Sequence, residues 1–190
     1  MKKIMFSDKL GSTQAVLDGR KSMARRMFYI PDKLVPYLDI DDTFDIVDDC
    51  IIWKDKVGEV VVIAQSYESV YHECGLETMG MLVSRLKYNA GWTNKMFVKA
   101  DLMIHHIEIT NIKVERLQDI SDEDYLKEGI IHAYTDNDGI KIYHTPHTKR
   151  GYLSTDVAQQ AFAFLIDKVS GRGTWEGNPY VFCYEFVLAS

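Results

Sequence analysis

The 190 residues, 46% hydrophobic and 26% charged, suit one globular domain with a full core, and a net charge of -6 excludes the wholly basic footprint of a duplex-binding protein. No run of about 18 apolar residues could cross a bilayer, and the opening MKKIMFSDKLGS lacks the apolar segment of a signal peptide, so a cytoplasmic protein without a membrane partner is expected. Cys50, Cys74 and Cys183 are odd in number and widely spaced, which argues against a disulfide framework or a zinc ribbon.

Along the chain, Ser12 or Thr13 is expected to cap a short helix through Leu17, with Gly19 as its left-handed stop. The segment that follows, GRKSMARR (19–26), carries Arg20, Lys21, Arg25 and Arg26. Residues 1–36 have a local net charge of +5, and residues 37–59, rich in aspartate, have -6. Two such blocks either neutralise each other across the fold or leave a basic patch for an anionic or acceptor-rich partner. The β-branched run 57–64 after Gly58 predicts a buried strand, and Ile107, Ile109, Ile112 and Val114 predict another whose alternation shifts near Asn111.

Ser121 followed by Asp122, Glu123 and Asp124 predicts a capped short helix that ends with Glu128 before Gly129. The segments 132–134 and 140–143 flank TDNDG and predict a hairpin. Ser154 or Thr155 is expected to cap a longer helix whose buried stripe is Val157, Ala161, Phe164, Leu165 and Val169, closed by Gly171. A last strand is expected over 180–188. Strands without regular strand-helix alternation argue for a mixed, mostly antiparallel α+β architecture.

Three motifs in this order resemble the ASCH domains of the PUA-like superfamily, in particular phage-encoded members. They are Gly19-x-Lys21 to Arg25 and Arg26; VERLQDIS (114–121) leading to Lys127-Glu128-Gly129; and GTWEGNPYVF (173–182). KVGE (56–59) with its following strand also resembles a family turn. The resemblance spans nearly the whole chain, with 27–55 and 66–95 reading as insertions. It implies a single domain over 1–190: an α+β, PUA-like mixed β pseudo-barrel with short helices at its ends. It also implies a cleft between the Gly-x-Lys loop and the Glu-Gly helix end that binds RNA or a nucleotide-like ligand. Some small members with the pattern G-x-K-x-x-T-x-R hydrolyse the amide of N4-acetylcytidine. Carried over residue by residue, the lysine is Lys21, the arginine Arg26, and the glutamate Glu128, whereas the threonine falls on Ala24.

That departure divides two readings. Amide cleavage needs a nucleophile or an activated water, and alanine supplies neither. Ser22 would share a side with residue 24 in an extended segment, and a carboxylate at a helix C-terminus, Glu128, could instead serve as base for a water. One expectation is therefore a binding module holding RNA or a nucleotide-like ligand through Gly19, Arg20, Ser22, Arg25 and Arg26. Tyr67 and Trp92 would offer stacking faces for a base. The other is an amidohydrolase acting on an acylated cytidine, with Lys21 and Glu128 as its catalytic pair. Lys21 and Glu128 also admit a purely structural reading, as an ion pair.

No cofactor or metal is expected. His105-His106 would point to opposite faces of a strand, and His144 and His147 have no nearby cysteine or carboxylate partner in sequence. The chain contains no P-loop, G-x-G-x-x-G or G-x-S-x-G signature.

Overall fold

The computed structural model describes residues 1–27, 44–47, 50–53, 56–74, 85–146 and 151–189. The mixed α+β character expected from sequence is present, with ten strands and five short helices among these residues. The strands are β1 (Lys3–Ile4), β2 (Met23–Met27), β3 (Phe44–Val47), β4 (Cys50–Trp53), β5 (Val60–Ile63), β6 (His106–Arg116), β7 (Ile131–Thr135), β8 (Lys141–His144), β9 (Ser154–Thr155) and β10 (Tyr180–Ala189). The helices are α1 (Ser12–Leu17), α2 (Tyr67–Cys74), α3 (Asp122–Lys127), α4 (Ala158–Ser170) and α5 (Thr174–Gly177).

The chain forms two compact units, each made of non-contiguous segments. The first comprises Met1–Phe6, Val60–Glu108 and Leu188–Ser190. Here β1 runs parallel to β5, and β5 pairs antiparallel with the start of β6. Its core gathers Val62, Ala64, Tyr67, Val70, Leu86, Val98 and Met103, with Trp92 and Tyr71 packed against it. The stretch 66–95, unmatched in the sequence resemblance, thus supplies much of this core. Short 3-10 turns follow α2, two of them capped by Asn89 and Asn94 accepting from Gly91 and Met96.

The second unit comprises Ser7–Glu59 and Ile109–Val187. Within it β10 lies between the later part of β6 and β2, and pairs antiparallel with β2 in the register Arg25 to Cys183 and Ala24 to Tyr184. β3 pairs with β4, and β7, β8 and β9 form a small antiparallel sheet. Among the described residues neither unit's strands close into a barrel. The core is Leu117, Ile120, Tyr125, Ile130, Ala161, Phe162, Leu165, Ile166 and Val181. In β6, Ile107, Ile109, Ile112 and Val114 are buried while Thr110 and Asn111 are both exposed, the expected break in alternation. The Asn111 side chain accepts from the Ile112 amide there, closing the local turn of the backbone.

Several local expectations are corrected. Ser12 and Thr13 lie inside α1, whose cap residue is Gly11, because Thr13 Oγ1 donates to Asp8 instead. Ser154 and Thr155 form β9, and α4 starts after Val157, whose amide donates to Thr155 Oγ1. The buried stripe of α4 is Ala161, Phe162, Leu165 and Ile166, leaving Val157, Phe164 and Val169 exposed. The run AFAFLI offers two apolar stripes of equal merit, and the rings of Tyr125 and Trp175 against Phe162 select one of them. Most of the proposed insertion at 27–55 and the acidic block within it lie outside the described residues, as does His147.

Candidate functional site

Two turns bring the site together. Gly19, at φ 71°, reverses the chain after α1, and the Lys21 amide donates to Ala15 O. Gly129, at φ 98°, ends α3: the Gly129 amide donates to Leu126 O and the Ile130 amide to Tyr125 O, a Schellman arrangement. At the other end of α3, Ser121 Oγ accepts from the Asp124 amide as the sequence predicts. The Ser22 amide donates to Lys127 O, which ties the Gly-x-Lys segment directly to the end of α3.

As a result Lys21 and Glu128, 107 positions apart, meet in a buried pair. Lys21 Nζ donates to Glu128 Oε2 at 2.5 Å and to the Glu128 main-chain O at 2.7 Å. The residues are only 7% and 4% exposed. Arg25 reaches the same carboxylate, with Nη1 at 3.0 Å from Glu128 Oε1. Its remaining nitrogens turn to Glu115 (Nε at 2.8 Å, Nη2 at 2.6 Å) and Asp124 (Nη2 at 3.3 Å), while Nη1 also approaches Met23 Sδ. Lys113 bridges Glu115 and Asp124, and Lys127 pairs with Asp124.

The electrostatics follow from burial. Desolvation lowers the proton affinity of Lys21 below that of an ordinary lysine, with Glu128 opposing the fall. Burial also lowers Arg26, against the pull of Glu128 and Tyr184. Burial works against the charge of Arg25 too, yet Glu128, Cys183 and Glu115 outweigh it and raise its proton affinity. Asp124 is held below the usual carboxylate range because Lys127, Arg25 and Lys113 overcome its own desolvation.

The remaining site residues are dispersed. Arg20 is exposed and pairs with Asp18 at 2.8 Å, and Ser22 is half-buried. Tyr67 and Trp92 belong to the first unit. Tyr67 is 1% exposed, with its hydroxyl accepting from the Lys99 amide, so its ring is a packing surface and offers no stacking face. Trp92 packs half-buried against Tyr71. Ala24 is not in a loop lining a cleft: it sits in β2, 4% exposed, opposite Tyr184.

Glu115, Asp124, Lys113 and Lys127 are not among the site residues expected from the sequence. Asp124 and Glu128 are four apart on one helical face, and Lys113 and Glu115 alternate against the buried Ile112 and Val114, so the periodicity of each element carried the signal. Among the described residues no cluster of three or more His, Cys, Asp and Glu side chains is placed to hold a metal, and no helix is long and apolar enough to cross a membrane. No family model matches the chain, and no curated protein or solved structure is significantly similar to it.

Proposed function

We propose that this chain is an ASCH-like domain with a PUA-like pseudo-barrel, and that it binds a nucleoside- or nucleotide-like ligand, free or within RNA, at the Lys21–Glu128 centre. The observation that carries the reading is the junction itself: the two motif residues converge through a buried contact of 2.5 Å, held by a glycine stop on each side. An ammonium has three N–H donors, and Glu128 engages two of those of Lys21. The third is uncommitted among the described residues, and a base carbonyl or ring nitrogen is the acceptor it suits. The net charge of -6 favours a small ligand over an extended phosphate backbone.

A second reading, hydrolysis of an N4-acylated cytidine, is favoured by one observation. A desolvated lysine beside a carboxylate is a competent proton-transfer pair, and it would act on a water because position 24 has no hydroxyl. A panel of nucleosides, nucleotides and short RNAs followed by calorimetry and by acetate release separates the two. Saturable binding without turnover is expected. Rapid acetate release from N4-acetylcytidine, abolished by Glu128→Gln, would replace the binding reading with the hydrolytic one.

A further inference from the structure

The pattern of the small hydrolytic members carries its arginine onto Arg26, while Arg25 stands in the Gly19-x-Lys21 motif and is expected to bind the ligand directly. The structure gives it a different place. Strand parity puts Arg25 on the face of β2 shared with Met23 and opposite Cys183, while Ala24 and Arg26 face the other way with Tyr184. Its side chain has no solvent exposure. A guanidinium has five N–H donors in a rigid fork. Nε has Glu115, Nη1 has Glu128 and Met23 Sδ, and Nη2 has Asp124 with the Glu115 carboxylate also beside it, so all three nitrogens of the fork are engaged. With its side chain wholly buried, the fork is turned to these internal partners and not to a ligand in solvent.

We propose that Arg25 is a positioning residue of the Lys21–Glu128 site: it clamps Glu128 Oε1 against the Glu115 and Asp124 carboxylates, so that Oε2 alone is presented to Lys21 and to a ligand beside it. The assignment rests on the binding reading for its consequence but not for its geometry. The carboxylate is divided between two cations, one per oxygen, at 3.0 Å and 2.5 Å. Whatever changes the hold of Arg25 therefore changes how much of Glu128 is left to Lys21. The charged and titratable groups around the pair are Arg26 and Arg25 on β2, Lys113 and Glu115 on β6, Asp124 and Lys127 on α3, and Cys183 and Tyr184 on β10.

Lysine at position 25 keeps the charge and loses the fork, and its single ammonium cannot reach three carboxylates at once. In Arg25→Lys that ammonium settles on Glu115 and Asp124, Glu128 falls wholly to Lys21, and the Lys21 titration moves upward. Glu115→Gln does the opposite. The guanidinium loses its shortest contact, leans on Glu128, and the Lys21 titration moves down.

The test is NMR titration of the Lys21 side chain in the natural chain and both variants, with nucleoside affinity measured by calorimetry in parallel. Shifts of opposite sign, each about one pH unit, are expected, as is an affinity loss of about tenfold in Arg25→Lys. A purely structural Arg25 would lower thermal stability and leave the Lys21 titration unmoved in both variants, which overturns the proposal. Should Arg25→Lys fail to fold, Glu115→Gln alone decides by the presence or absence of the downward shift. Opposite titration shifts with no nucleoside bound by any form would uphold the clamp and sink the binding reading instead.

Discussion

Replacing Glu128 by glutamine is the sharpest perturbation of this network. The carboxylate is almost fully buried and accepts from Lys21 Nζ and Arg25 Nη1 on separate oxygens. Glutamine keeps one acceptor and turns the other position into a donor facing a cation. Removing one partner of a buried ion pair costs about 3–5 kcal/mol, and the retained carbonyl places Glu128→Gln near the lower end, about 3 kcal/mol. The loss depends on pH through Lys21. Its folded-state proton affinity is already depressed by burial, so below its folded pKa the protonated lysine destabilises the fold, and that penalty is relieved as pH rises toward the unfolded value of about 10.4. Glu128→Gln removes the support that opposes the depression, so the folded value falls further and the relief begins at lower pH. Urea denaturation at a series of pH values from 6 to 10 should therefore show a gap between the two proteins that is widest at the acidic end and narrows as pH rises. A loss below about 1 kcal/mol that does not vary with pH would refute the buried, carboxylate-dependent Lys21.

Ala24→Thr should destabilise the chain by about 1–3 kcal/mol in thermal denaturation, because it places extra atoms and a hydroxyl in a buried strand position opposite Tyr184. Gly129→Ala should cost about 1 kcal/mol through its φ of 98° alone, since an added Cβ meets Lys21 no closer than 3.6 Å; a neutral result would contradict the left-handed stop. Burial pushes the Cys183 thiol up to about 12, against the pull of Arg25, so mass mapping after alkylation of the native protein at pH 8 should find it unmodified and find it labelled in denaturant.

The elements bounded by strong local chemistry were legible in the sequence: α3 from Ser121 and Gly129, β6 with its break at Asn111, and β5 from its β-branched run, although the strand is confined to Val60–Ile63 and Val57 and Val60 are exposed. Where two signals competed, local rules chose wrongly. Thr13 could cap α1 or bind Asp8, and the AFAFLI run of α4 could bury either of two stripes; a local hydrogen bond to Asp8 decided the first and the rings packed on Phe162 the second. Lys21 and Glu128 were paired by the resemblance to ASCH domains, which carries the lysine and the glutamate of that pattern onto them. Arg25 could not be separated from Arg26 by composition, since only strand parity and the carboxylates of β6 and α3 distinguish them. Tyr67 read as a stacking face because nothing near it in sequence reports the core that Val62, Val98 and Met103 build around it.

The central claim is that a ligand meets the Lys21 donor left uncommitted among the described residues. Its most direct test is to follow the Lys21 side-chain resonances while titrating the unmodified protein with cytidine, cytidine monophosphate and N4-acetylcytidine. A saturable shift of the Lys21 signal by at least one of them, with the same midpoint as the calorimetric titration, is the predicted result. A compound that binds in calorimetry yet leaves Lys21 unmoved, or no binding by any of the three, would contradict it.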